Sequence, residues 1–329
     1  MTLHPSVAAV RRPVRTLLET LDPGATVVVA CSGGADSTAL LAATVFEGHK
    51  RGLRVVGATV DHGLQPGSDE VAATVVARMA ALGADETLTA RVTVENGRTG
   101  PEDAARRARY AVLEQVAQHT AAAVVLLGHT RDDQAETVLL GLARGGGGRS
   151  LAGMRPAFDR FARPLLEVSR DDTRTACLVE GHEVWEDPHN TDEGYTRVRV
   201  RRRVLPVLTE ALGPGVVPNL ARTAASLRED MEYLDERAGK ELARVRVGKD
   251  TLMAPSVAAL APALRRRVLR RAAVAAGALD AELFREHVLA VDALVVDWRG
   301  QKWIDLPGHL RAVREGPLLV FRPATPDAG

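Results

Sequence analysis

Several things are scarce in this chain of 329 residues, and each scarcity removes a class of explanation. No apolar run reaches the roughly 18 residues that a membrane-spanning helix needs, so no membrane attachment is expected. Residues 1–15 lack the apolar core of a secretory leader, which leads us to expect a cytoplasmic protein. Two cysteines, Cys31 and Cys177, suggest no disulfide framework and lack the spacing of a metal knuckle. Aromatic residues make up only 3% of the chain, too few for an extended base-stacking surface. Only four lysines occur (Lys50, Lys240, Lys249 and Lys302), so nearly all positive charge is arginine. With a net charge of +1, the whole-chain balance points to no partner, and only local clusters carry information.

What is present is ordinary for a globular protein: 46% hydrophobic and 26% charged residues, in a length that suits two domains. Strand-like runs at 26–30, 54–60, 86–92 and 123–128 alternate with helical patterns near 36–49, 68–83, 101–119 and 132–143. That alternation predicts a doubly wound parallel sheet covered on both faces, with ligands outside the carboxyl ends of its strands. Polar chemistry follows three of the four strands, at Ser32–Ser37, Asp61-His62 and His129–Asp133, so one sheet edge should gather it. The tetraglycine Gly145–Gly148 reads as a loop, and 163–185 as a helix flanked by short extended pieces. Gly213-Pro214-Gly215 with Pro218 marks a boundary, giving expected domains of 1–212 and 213–329. The second is expected to be smaller and mainly helical (220–245, 263–276, 281–294), with short strands at 302–306, 310–314 and 318–322, hence α+β.

The most informative stretch is residues 27–41, a β-branched strand running through Cys31-Ser32-Gly33-Gly34-Ala35-Asp36-Ser37 into an apolar helix. A strand feeding a helix start through a glycine turn makes an anion site, because free N–H groups and the helix dipole converge there. Ser32, Ser37 and Thr38 add hydroxyls. Asp36 would repel a phosphate unless a metal bridged the two, which points to a magnesium-carried polyphosphate. No Lys follows the glycines as a Walker loop requires, and no G-x-G-x-x-G is present. Ser-Gly-Gly-x-Asp-Ser instead resembles the PP-loop of the N-type ATP pyrophosphatases, which split ATP into AMP and pyrophosphate.

Gly128-His129-Thr130-Arg131-Asp132-Asp133-Gln134-Ala135-Glu136-Thr137 is the second strong feature. Paired acids at a helix start can be simple caps favourable with the dipole. Beside Asp36, however, Asp133 could complete an oxygen-rich magnesium site. His129 is then a candidate donor to developing negative charge, against the plainer reading of a structural histidine.

Here the chain resembles the tRNA(Ile)-lysidine synthetases. The likeness runs through Ser32–Ser37, Asp61-His62-Gly63-Leu64 with Ser68, Arg106–Tyr110, Gly128–Thr137, Leu142–Gly145 and Gly153-Met154. It continues through Arg163–Leu166, Trp185-Glu186-Asp187 with Asn190 and Asp192, Tyr195-Thr196-Arg197, Arg199, Arg201 and Leu205-Pro206. It is strong over about the first 210 residues. Val198 stands where the family usually has Asn, so any polar contact of that Asn is lost or supplied elsewhere.

The resemblance implies that ATP adenylates the C2 carbonyl oxygen of the wobble cytidine in a tRNA(Ile) with a CAU anticodon. Free L-lysine then displaces AMP through its ε-amine. It also implies site roles: Ser32, Gly33, Gly34, Ala35, Asp36, Ser37, Asp61 and His62 for ATP, and Asp36 and Asp133 for Mg2+. Asp36, Asp133, His129, Arg109 and Arg201 are the catalytic candidates, and Arg197, Arg199 and Arg201 the tRNA contacts. An arginine run is often only a solvated face, but this one follows a catalytic domain whose substrate carries phosphates. A second run, Arg265–Arg267 with Arg270 and Arg271, is a weaker candidate. With so few aromatics, a base flipped into the cleft fits better than a stacking platform. The competing readings are a tRNA 2-thiolation enzyme, which would need sulfur-carrying cysteines, and a non-catalytic nucleotide-binding module. Oligomeric state and the lysine-selecting residues are not legible in the sequence.

Overall fold

The computed structural model describes residues 3–61, 68–91, 101–145, 147–185, 187 and 191–324, with the backbone alone for 101–106. The chain divides into two compact units, Met1–Arg228 and Glu229–Gly329.

The first unit is built on a six-stranded sheet: β1 (Thr26–Ala30), β2 (Arg54–Asp61), β3 (Glu86–Arg91), β4 (Val124–Leu127), β5 (Ala157–Phe158) and β6 (Phe161–Ala162), in the order β3-β2-β1-β4-β6-β5. All neighbours are parallel except the short β5–β6 hairpin. Val27, Val28 and Val29 are fully buried, as a central parallel strand covered on both faces requires. On one face pack α1 (Pro5–Leu18), α2 (Ala35–His49), α3 (Ser68–Ala81) and α7 (Arg170–Glu180), through Val14, Leu18, Leu40, Leu41, Met79 and Ala176. On the other lies α4 (Pro101–His119), through Leu113, Val116 and Ala117. The expected doubly wound sheet is therefore present. At the tetraglycine, Gly145 and Gly147 take positive φ (+64° and +69°), and Gly147 opens a short helix, α6 (Gly147–Leu151), where a plain loop was expected. Between α4 and α6 along the chain lies α5 (Arg131–Ala143).

After α7 the arginine segment forms α8 (Thr196–Arg199), a π-helical turn (Val200–Val204) and α9 (Leu205–Leu212). A 30-residue helix, α10 (Val216–Val245), follows, with Pro218 tolerated in its first turn. The division between units falls inside α10, beyond the Gly213-Pro214-Gly215 break. The cause is packing: Val217 and Leu220 rest on Ala135, Val200 and Leu205, and Arg228 Nη2 donates to the Ala152 carbonyl at 2.7 Å.

The second unit has an antiparallel sheet of β7 (Arg246–Gly248), β8 (Thr251–Met253), β9 (Ile304–Leu306), β10 (Leu310–Glu315) and β11 (Leu318–Pro323), in the order β7-β8-β11-β10-β9. The β7–β8 hairpin was not foreseen. Helices α11 (Ala254–Ala258), α12 (Pro262–Ala275) and α13 (Arg285–Val296) accompany it, around a core that includes Leu252, Leu269, Leu294 and Leu319.

Candidate active site

The loop after β1 is held in shape before any ligand arrives. Cys31 N–H donates to the Ala58 carbonyl at 2.8 Å, extending the ladder by one residue. Gly33 then turns with φ +82°, and a Cβ there would lie 2.8 Å from Val75 Cγ2. Its carbonyl accepts from Trp185 N–H at 2.8 Å, which ties the loop to the Trp185 segment. Ser37 Oγ accepts from Ser32 N–H at 3.2 Å and donates to the Gly34 carbonyl at 3.0 Å, while Thr38 Oγ1 donates to the Gly33 carbonyl at 3.3 Å. The Ser37 and Thr38 hydroxyls, expected to face the anion, here brace the loop. Gly128 serves the same end, because a Cβ on it would sit 3.1 Å from Ser37 N and Cα, a tight contact that would push the start of α2 away from the end of β4 by a few tenths of an ångström.

Beside the loop lies a cluster of acids and guanidinium groups. Asp133 closes the cap of α5: its Oδ2 accepts from Thr130 N–H at 2.8 Å and Thr130 Oγ1 at 2.9 Å. Its Oδ1 accepts from Arg170 Nη2 at 2.9 Å. Glu136, with no exposed surface, accepts from Arg170 Nη1 at 3.2 Å and from Arg201 Nε at 2.7 Å, with Arg197 Nε at 3.7 Å. Asp36 takes a short hydrogen bond from the Thr173 hydroxyl and stands 3.7 Å from Arg170 Nε. Burial pushes the Asp36 carboxyl up to about 6, with neighbouring Asp133 adding to the rise against Thr173 and Arg170. Burial also pushes Asp133 upward, but Arg170, His129, the Thr130 N–H and Arg201 hold it below the usual carboxylate range.

Of these groups Asp36, Asp133, Arg170, Arg197 and Arg201 line one cavity of about 1100 Å³ within the first unit, which Ser32, Gly34, Ala35, Ser37, Asp61, Arg109 and His129 also border, while Glu136 lies buried behind it. Asp61 is buried at the end of β2, with Arg91 Nε 3.7 Å away. Gly33 shapes the loop without bordering the cavity. Arg199 turns away: its guanidinium donates to the carbonyls of Glu193 (2.7 Å) and Gly194 (2.9 Å) and to Thr196 Oγ1 (2.9 Å). His62 lies outside the described residues, as do Glu186 and Asn190. Val198 is buried. In the second unit the Arg265 run is largely consumed internally: Arg265 and Arg266 pair with Asp292 (2.6 and 3.1 Å) and Arg267 with Asp235 (3.0 Å).

The sequence reading missed Arg170 and Thr173 and left Glu136 without a role. Ser169 with Asp172 is a legible cap signal for α7, since Ser169 Oγ accepts from Asp172 N–H at 3.1 Å. Nothing in the pattern distinguished Arg170 from other arginines.

Among the described residues no three His, Cys, Asp or Glu side chains form a metal-binding group. Two carboxylates beside a phosphate-type loop nonetheless suit Mg2+, which keeps several waters and takes most other ligands from a nucleotide's phosphates.

Residues 7–208 match the PP-loop domain family and residues 252–316 the TilS substrate binding domain. The tRNA(Ile)-lysidine synthase of Thermobifida fusca is 52% identical over 96% of this chain and 98% of its own, and that of Streptomyces coelicolor 50% identical over 97% and 99%. Among solved structures, the U34-tRNA thiolase NcsA from Methanococcus maripaludis aligns with a TM-score of 0.56 over 68% of this chain and 80% of that one. At 18% identity that likeness concerns the fold alone. With a PP-loop match across most of its length and relatives half identical along nearly all of it, the chain belongs to the tRNA(Ile)-lysidine synthase family, ATP-using tRNA-modifying enzymes.

Proposed function

We propose that this chain joins free L-lysine to C2 of the wobble cytidine of a tRNA(Ile) bearing a CAU anticodon, in two steps within the first unit's cavity. In the first, the cytidine O2 attacks the α-phosphorus of ATP, forming an O–P bond as pyrophosphate leaves. In the second, the lysine ε-amine attacks C2, the C2–O2 bond breaks, AMP departs with that oxygen, and the amine loses its proton. The observation that carries this reading is the convergence of the braced loop, Asp36, Asp133, His129, Arg109 and Arg201 on one cavity.

The chain's own groups divide the work. The loop N–H groups after β1 and the start of α2 hold phosphates against the helix dipole. Arg109, Arg197 and Arg201 border the cavity and supply fixed positive charge for the leaving group and the tRNA backbone. His129, which borders the cavity, would donate to developing negative charge. Asp36 and Asp133 would hold Mg2+, which when bound neutralises phosphate charge and polarises the α-phosphorus. We assign tRNA contact to Arg197 and Arg201 at the cavity, to Arg199 only through the backbone turn it braces, and further contact to the second unit. A cytoplasmic location follows from the need for tRNA and ATP.

Thiolation is disfavoured by the thiols themselves. Both cysteines are buried, burial raises Cys31, and burial with Asp36 nearby pushes Cys177 up to about 12, so neither offers a thiolate. Labelled lysine should enter a tRNA(Ile) transcript carrying C34 and not one carrying U34. Equal incorporation into both would overturn the assignment.

A further inference from the structure

The first turn of α7 joins the phosphate loop to α5, and one side chain makes most of that connection. Arg170 N–H donates to Asp132 Oδ2 at 2.8 Å. Its guanidinium reaches Asp133 (2.9 Å) and Glu136 (3.2 Å) and stands 3.7 Å from Asp36, whose other oxygen is held by Thr173 one turn along. Arg170 is thus the group that touches both carboxylates expected to face the metal. It also borders the cavity, with 13% of its side chain exposed. A guanidinium can serve three acids at once because its donors form a planar fork; an ammonium is a single point charge.

Two carboxylates in a half-enclosed, low-dielectric pocket repel each other and would spread apart or leave the pocket without a cation between them. A divalent ion supplies that cation in the loaded enzyme; Arg170 supplies it before loading.

We propose that Arg170 is a positioning residue for the nucleotide's metal, holding Asp36 and Asp133 as a spaced pair of anions until the divalent cation takes over that charge. The inference rests on the reading of Asp36 and Asp133 as the metal-side carboxylates. It has a consequence that a merely structural ion pair lacks: removing Arg170 should move metal affinity and turnover in opposite directions. Without the guanidinium the pocket is one charge more negative, so a free divalent ion binds tighter. The pair is then no longer held at the spacing that a metal-bearing triphosphate needs, so turnover falls.

The test uses the nucleotide-free full-length chain, with Mn2+ as the probe and its free ion counted by electron paramagnetic resonance. Arg170→Ala and Arg170→Gln should bind Mn2+ roughly tenfold tighter than wild type. Arg170→Lys should stay near wild type. Lysine-dependent AMP formation should fall at least tenfold in the neutral variants and less in Arg170→Lys. The Gln variant, which keeps bulk and hydrogen bonding, preserves the test if Arg170→Ala does not fold. Wild-type Mn2+ binding that Asp36→Asn leaves unchanged would remove the metal reading and this inference together. Asp36-dependent binding that neither neutral variant tightens would remove the role of Arg170 alone.

Discussion

At the scale of single residues, the site trades stability for charge. Asp36 is the clearest case, because its carboxyl is raised from 3.8 to about 6 by burial and by Asp133. A carboxyl raised in the folded state favours folding while protonated, and that benefit is lost as pH rises from about 4 through 6. Asp36→Asn, which cannot ionise, should therefore be more stable than wild type at pH 7.5 by about 3 kcal/mol, and near-equal to it at pH 4. Paired denaturant melts of the metal-free proteins at the two pH values would check this, and a gap that did not shrink on acidification would contradict it. The same variant, and Asp133→Asn, should lose essentially all AMP formation at saturating magnesium while keeping a native circular dichroism spectrum. Gly128 offers a steric counterpart. Gly128→Ala forces a methyl to within about 3.1 Å of Ser37 backbone atoms, so it should cost roughly 1–3 kcal/mol and weaken ATP binding. Unchanged ATP affinity would show that the start of α2 tolerates displacement. The Gly33, Gly34 and Asp36 loop was legible in the sequence because its chemistry is local. The bracing use of Ser37 and Thr38 was not, since a hydroxyl's partner depends on loop geometry that residue types alone do not fix.

At the scale of elements, α8 and the π-helical turn decide which arginines reach the cavity. Arg197 and Arg201, four apart, both face Glu136, while Arg199 points back to the 193–196 turn. Arg201→Ala should lower turnover by a hundredfold or more at saturating tRNA, with ATP affinity nearly intact. Arg199→Ala should act through the turn it braces, weakening tRNA binding modestly with little change in the salt dependence that a phosphate contact would carry. A full unit of lost slope in Arg199→Ala would instead mark a direct phosphate contact. The sequence showed the arginine run, and helical spacing alone puts Arg197 and Arg201 on one face and Arg199 on another. Which face meets the cavity was hidden because it is set by Glu136, far earlier in the chain on α5. Helix α7 was legible as a helix. Its function was hidden because the partners of Arg170 lie more than thirty residues away along the chain, on α2 and α5.

At the scale of the whole molecule, the parallel sheet was readable from the alternation of strands and helices, and the location of the candidate site was suggested by the strand ends. The unit boundary was less so: a Gly-Pro-Gly break looks like a linker, yet Val217, Leu220 and Arg228 beyond it pack on the first unit. A fragment ending at residue 228 should therefore melt near the temperature of the first unit in the full chain. One ending at 212 should be destabilised by about 3–5 kcal/mol, because buried apolar contacts to Val200 and Leu205 are lost. Both fragments should bind ATP, the shorter one less well, and both should bind tRNA more weakly than the full chain at one fixed salt concentration. Equal melting of the two fragments would place the boundary at the glycine break. The central claim, that the first unit's cavity activates the tRNA before lysine attacks, is tested most directly by omitting lysine. With ATP labelled at its α-phosphorus and a tRNA(Ile) transcript carrying C34, the label should accumulate on the tRNA and be released as AMP when lysine is added. Release of labelled AMP without prior attachment to tRNA would contradict the account.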